Sequence, residues 1–210
     1  MSRAARSVLL TGFGPFPGVT ENATARLVPQ LALRAAAVFP AYTFHHDILK
    51  TAWGAAPERA AHLIATHQPV LALHFGVARE ADGFRIERTA QNLCRIAADV
   101  TGCLPTAAQL DCAGPDARTS GIDAAVLALR LEALGYPVSI SDDAGAYLCN
   151  AVLYHSLAAA EALAIRPCRS GFIHIPADLS GPPLSFPEAL EGSMEIIRAM
   201  LDTIDTGADS

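Results

Sequence analysis

The sequence predicts an α/β fold: one three-layer α/β/α sandwich with a mostly parallel central sheet, spanning residues 1–210. Three observations carry this. Short apolar runs alternate with stretches of helical periodicity along the whole chain. One run, Val70–Phe75, is nearly all apolar, as strands buried on both faces of a parallel sheet are. No repeat, linker or low-complexity stretch divides the chain.

The elements follow in order. Ser7–Leu10 reads as a buried strand, and a Gly/Pro-rich loop leads from it into a helix over residues 22–37. Tyr42–Leu49 is a second strand. Pro57–His67 is a helix, with a proline suited to a first turn, where its missing N–H is not required. After Val70–Phe75, residues 76–121 are polar and irregular, the expected place for excursions, hairpins and site loops. Regularity returns with a helix over Asp123–Leu134, stopped by Gly135, and a strand over Val138–Ser141. A helix over 148–164, a strand over Gly171–Ile175 and a closing helix over Glu188–Thr203 complete the pattern, and residues 207–210 are expected to fray.

Composition excludes several classes. At 51% hydrophobic and 17% charged, the chain is not disordered. A chain of this length buries about 70–75% of its unfolded surface, enough to fold without a disulfide or metal. The net charge of −6, with no basic cluster, argues against a nucleic-acid surface. The apolar run Val8-Leu9-Leu10 is too short for a secretion signal, and no stretch approaches the roughly 18 apolar residues of a spanning helix. Five cysteines, at 94, 103, 112, 149 and 168, are an odd number without a CxxC pair, so neither a disulfide framework nor a zinc knuckle is read. The expectation is a cytoplasmic chain with reduced thiols, no membrane contact and no glycan at Asn22-Ala23-Thr24.

Chemistry is expected at three places. Thr11-Gly12-Phe13-Gly14-Pro15-Phe16-Pro17-Gly18 follows the first strand but fits a dinucleotide loop poorly. Its third glycine comes one place late, two prolines remove amides, and no Walker lysine follows. A tight turn whose phenylalanines pack inward, or wall a small apolar pocket, suits it better. Cys149 stands at a strand-to-helix junction, where peptide N–H groups and the helix dipole favour a thiolate. A buried cysteine acting as a small hydrophobe is the plainer alternative.

A thiolate nucleophile needs a base, and His174 and His74 both read as lying at strand ends. His45-His46-Asp47 suggests a metal cluster, but adjacent strand residues point to opposite faces, so it reads as structural. Glu87, between Arg85 and Arg88, is either the acid that orients a base or part of an exposed ion-pair cluster; spacing alone does not join it to His174.

Taken together, these segments resemble the pyroglutamyl peptidase I (pyrrolidone-carboxylate peptidase) family. The matching segments are Leu10-Thr11-Gly12-Phe13-Gly14-Pro15-Phe16 with Gly18 and Asn22, and Ile86-Glu87-Arg88-Thr89-Ala90-Gln91-Asn92. Ala144-Gly145-Ala146-Tyr147-Leu148-Cys149-Asn150 with Tyr154, and Gly171-Phe172-Ile173-His174-Ile175-Pro176, follow in the family's order. The resemblance implies a Glu87–Cys149–His174 triad with no metal or organic cofactor. It also implies a substrate pocket touching Phe13, Phe16, Asn22 and Val77, a peptide or small amide substrate with a blocked N-terminus, and a homo-oligomer, often a tetramer. The chain departs from the family at Gly76-Val77-Ala78-Arg79-Glu80, where Gly-Gln-Ala-Gly-Gly is usual, and Asp99-Val100-Thr101-Gly102 resembles the family's Asp-x-x-Gly turn one residue early. A related cysteine amidohydrolase with a changed small-acyl pocket and a non-catalytic binding protein of the same fold are the two other readings.

Overall fold

The computed structural model describes residues 6–163 and 168–207. Period-two patterning sets its layers. In β1 (Arg6–Phe13), Val8 and Leu10 join one apolar cluster, and Leu9 and Phe13 join another. Side chains that alternate across a strand produce this division. The chain continues through α1 (Ala23–Val38), β2 (Tyr42–Leu49), α2 (Ala55–His67) and β3 (Leu71–Ala78). Next come β4 (Phe84–Glu87), β5 (Thr89–Gln91), β6 (Ala117–Thr119) and α3 (Ala124–Ala133). It ends with β7 (Val138–Ser141), α4 (Leu148–Glu161), β8 (Arg169–Pro176) and α5 (Phe186–Gly207).

The main sheet has the order β2-β1-β3-β8-β4-β7. Neighbours are parallel except β8 and β4, so β4 and β7 run against the other four strands. Helices α1, α3 and α5 supply one apolar cluster and cover one face; α2 and α4 supply the other. This is the α/β/α layering expected, with a mostly parallel sheet.

Local chemistry explains most boundaries. Asn22 caps α1 by accepting from the Thr24 N–H at 3.1 Å, and Asp123 caps α3 through the N–H groups of Ala125 and Val126. Gly135, at φ +82°, ends α3.

Several boundaries differ from the sequence reading. β1 runs on to Phe13 and β3 to Ala78, so His74 lies inside its strand and not at its end. The closing helix is longer than expected at both ends, and the strand around His174 gains two residues at its N-terminal end and one at its C-terminal end. The end of the helix expected to reach residue 164, and the fraying expected at 208–210, lie outside the described residues. Within residues 76–121, β4 is a strand of the main sheet, while β5 and β6 pair antiparallel with each other. Between them, residues 92–116 form no helix or strand.

Candidate active site

The loop after β1 is a tight turn. Phe16 and Val19 exchange backbone hydrogen bonds at 3.0 and 2.8 Å, with Pro17 and Gly18 between them and Gly18 at φ +81°. A type II turn asks for proline and then glycine at its two central positions, which explains the late third glycine. Phe13 is buried on the α2/α4 face, its ring centroid 6.2 Å from that of Phe172.

Strand alternation places the next groups. Ile173 and Ile175 of β8 belong to the α1/α3/α5 cluster, whereas Phe172 packs in the α2/α4 cluster; His174, two residues on, shares its face. In the antiparallel β8–β4 ladder, Glu87 is opposite Phe172 and Arg85 opposite His174. Glu87 is therefore diagonal to His174 on the same face, within reach of a long side chain. The His174 Nδ1 to Glu87 Oε1 distance is 2.7 Å, and both residues are buried. The second carboxylate oxygen of Glu87 is buried with no hydrogen-bond partner among the described residues.

Cys149 is the second residue of α4, half-buried at an N-terminus whose preceding residue, Tyr147, supplies no side-chain cap. The first amides of a helix lack intrahelical acceptors, so they remain available to an anion. The thiol approaches the sheet over Gly76, which pairs in register with His174. A Cβ at Gly76 would lie 3.1 Å from Cys149 Sγ and 2.7 Å from the Phe172 ring. Glycine there admits the thiol.

The two strand histidines have opposite electrostatics. Burial alone would lower the His174 pKa; interactions with the Cys149 and Glu87 side chains outweigh it and raise the value from 6.5 to about 9. Burial pushes His74 down from 6.5 to about 3. His74 bonds through Nδ1 to the Thr11 hydroxyl at 2.7 Å, and its Nε2 is buried without a partner among the described residues.

The remaining cysteines are set differently. Burial pushes the Cys168 thiol up to about 12 and raises that of Cys94, while Cys103 and Cys112 are exposed in the 92–116 segment. His45 stacks on His67 at 3.8 Å between ring centroids. Among the described residues, no group of three or more His, Cys, Asp or Glu side chains is arranged to hold a metal ion. No helix among them is long and apolar enough to cross a membrane.

Cys149 and His174 open onto a cavity of about 400 Å³ that Phe13, Phe16, Asn22 and Val77 also line. The structure thus brings together every site residue read from the sequence, with Glu87 behind the imidazole. Two of them have other commitments. Asn22 uses its amide to cap α1 and to donate to the Gly14 carbonyl at 3.2 Å. Val77 packs toward the α1/α3/α5 cluster while reaching the cavity at the strand ends. Glu80, part of the departure read as changing the pocket, lines the cavity; the sequence reading did not place Thr51, Arg85, Arg95 or Tyr147 there, yet all four line it too. The only signals were position: Tyr147 lies within the segment that carries Cys149, and Arg85 directly precedes the one that carries Glu87.

Motif residues outside the Glu–Cys–His set hold the 92–116 segment. Asn150 accepts from the Gln91 N–H at 2.8 Å and donates to the carbonyls of Gln91 and Leu93. Asn92 accepts from the N–H groups of Leu110 and Asp111 and donates to the Asp111 carbonyl. The Tyr154 hydroxyl donates to the Pro115 carbonyl at 2.8 Å. Asp99 accepts from the N–H groups of Trp53, Thr101 and Cys103, which fixes the segment to the start of α2. Burial alone would raise the Asp99 pKa, but the Thr101 hydroxyl, which donates to it at 2.6 Å, and these N–H bonds hold it below the ordinary value.

Comparison with known proteins identifies the family and the fold. A family model described as pyroglutamyl peptidase matches residues 6–181. A pyrrolidone-carboxylate peptidase of Vibrio vulnificus is 33% identical over 212 aligned residues, covering 98% of this chain and 96% of that protein. A human pyroglutamyl-peptidase 1 is 28% identical over 214, covering 98% and 94%. Among solved structures, a mutant pyrrolidone carboxyl peptidase of Pyrococcus furiosus superposes with a TM-score of 0.85 at 29% identity, covering 93% of this chain and 98% of its own. The chain belongs to the pyroglutamyl peptidase family, whose members are cysteine-type omega peptidases.

Proposed function

We propose that the protein removes an N-terminal pyroglutamyl residue from peptides through Cys149, His174 and Glu87. One observation carries the reading: an imidazole held at 2.7 Å by a buried carboxylate lines the same cavity as a thiol at a helix start. Glu87 accepts from Nδ1–H, which leaves Nε2 for the thiol and the leaving group. His174, its pKa raised to about 9, carries a proton at neutral pH and so stabilises a Cys149 thiolate.

The thiolate sulfur attacks the pyroglutamyl carbonyl carbon. The carbonyl oxygen becomes an oxyanion, which the unpaired amides at the start of α4 stabilise. As the C–N bond breaks, His174 gives its proton to the leaving nitrogen and a thioester remains. His174 then takes a proton from water; the hydroxyl displaces the sulfur and pyroglutamate leaves. Phe13 and Phe16 supply apolar walls for the lactam. The five free cysteines support a reducing, cytoplasmic location.

The test is hydrolysis of pyroglutamyl-7-amido-4-methylcoumarin alongside prolyl, alanyl and N-acetyl analogues. Turnover of the pyroglutamyl amide, lost in Cys149→Ser, is expected; full activity in that variant overturns the nucleophile. A second reading, a related amidohydrolase of broader small-acyl preference, is favoured by Val77, whose side chain offers the lactam no hydrogen bond. An unmatched lactam polar group costs about 1–3 kcal/mol, so only modest discrimination against the prolyl analogue is expected. Val77→Gln sharpens it if the side chain faces the lactam. Complete rejection of the prolyl analogue, unchanged by Val77→Gln, removes position 77 from substrate reading.

A further inference from the structure

A second groove, of about 470 Å³, adjoins the catalytic cavity and shares Phe16, Val77, Arg95 and Tyr147 with it. Its remaining lining is Pro17, Arg79, Ala97 and Ala98, so among the described residues its only charged side chains are the two arginines. Glu80 and Asp143 line the catalytic cavity but not this groove.

The two arginines rest against different parts of the lining. Arg79 lies against the turn after β1, its Nη2 3.0 Å from where a Cβ on Gly18 would be. Arg95 lies over the Tyr147 ring, 5.9 Å from its centroid. The part that carries Arg95 is fixed: the Arg95 N–H donates to the Ala146 carbonyl at 2.7 Å, the Tyr147 hydroxyl to the Ala98 carbonyl at 3.0 Å and the Trp53 indole to the Ala97 carbonyl at 2.8 Å.

Neither arginine has a carboxylate partner among the described residues. Other arginines do, Arg88 with Asp142 and Arg130 with Glu195 among them. Two unpaired guanidiniums facing one groove, in a chain of net charge −6, mark a local site for an anion.

The substrate's own chemistry says which part of it lies there. A pyroglutamyl group ends its peptide, because its nitrogen is closed into the lactam. Any groove continuing beyond the acyl site can therefore be filled only from the leaving side. We propose that this groove receives the first residue of the leaving peptide and that Arg79 and Arg95 favour one carrying a carboxylate. This rests on the pyroglutamyl peptidase reading above. The carboxylate comes from an acidic side chain or from the free C-terminus of a dipeptide.

The experiment measures kcat/KM ratios within matched pairs. Pyroglutamyl-glutamyl amide against pyroglutamyl-glutaminyl amide tests the side chain; pyroglutamyl-alanine against its amide tests the terminus. At least one pair is expected to favour the carboxylate by about fivefold or more at low salt, with the ratio shrinking as salt screens the contact. That ratio should fall to near unity in Arg79→Gln/Arg95→Gln and invert in Arg79→Glu/Arg95→Glu, and the pair that responds identifies the carboxylate. Ratios near one in both wild-type pairs, with the coumarin amide still hydrolysed, overturn this proposal alone. So does a preference that survives the double glutamine variant. If wild type hydrolyses no pyroglutamyl substrate, the coumarin amide included, the reading of function falls and this proposal with it.

Discussion

His74 and His174 occupy neighbouring strands of one sheet, both buried, and Phe172 packs near both rings. Their chemistry differs because of what each faces. His74 meets a neutral hydroxyl, so desolvation governs it and its pKa falls to about 3. His174 meets a carboxylate and a thiol, and charge outweighs the same desolvation to raise it to about 9. Burial in a strand does not make a histidine a base. A carboxylate on the adjoining strand and a thiol above it are what equip His174 for the role proposed for it.

The largest effect that could break this comparison is a reversal of roles. His174→Ala should lower kcat/KM by at least about 10⁴-fold, as loss of a base does in comparable triads. Folded His74→Phe should stay within about threefold of wild type; a dead His74→Phe beside an active His174→Ala would exchange the two. Glu87→Gln should cost less, about 10²–10³-fold, and move the alkaline limb of kcat/KM below pH 9, because it removes one of the interactions that raise His174. An unmoved limb would show that the carboxylate does not govern the imidazole. Gly76→Ala places a methyl 3.1 Å from Cys149 Sγ and 2.7 Å from the Phe172 ring. Displacing the thiol should cost about 10²-fold in kcat, while the overall fold, read by circular dichroism, is retained.

The smallest effects concern stability. His174 binds its proton more tightly when folded than when unfolded. Its contribution is complete below pH 6.5 and is lost as pH rises through about 9. His74 resists protonation when folded, so stability is lost as pH falls from 6.5 toward 3. Each changes stability by up to about 1.4 kcal/mol per pH unit within its window. Together they give a maximum near pH 6.5. In urea titrations His74→Phe should flatten the acid side and His174→Ala the alkaline side. His74→Phe should also cost about 1–3 kcal/mol at neutral pH, because the buried Thr11 hydroxyl loses its partner.

Much of this was legible in the sequence. β2 and β7 match the expected strands residue for residue; β7 alternates apolar and polar residues between Gly135-Tyr136-Pro137 and Asp142-Asp143, which mark its ends. The four motif segments gave Glu87, Cys149 and His174 their candidate roles. The pairing that joins Glu87 to His174 was not legible, since it crosses 87 residues and depends on a four-residue strand with one central apolar position, Ile86. Residues 92–116 were correctly read as irregular, but what orders them was invisible. Each of Asn92, Asp99 and Asn150 satisfies several backbone groups at once, and no periodicity reports such bonds.

β8 is next to last among the elements in the chain yet central in the sheet, between β3 and β4. During synthesis, β1 to β4, the glycine beneath the thiol and Cys149 itself all emerge before His174 does. Until residue 174 arrives, the Cys149 thiol has no imidazole beside it and the Glu87 carboxylate has no ring to bond. A growing polypeptide of this kind carries no working hydrolase through most of its translation. On the roles proposed for these three residues, strand order alone sets when the site can assemble.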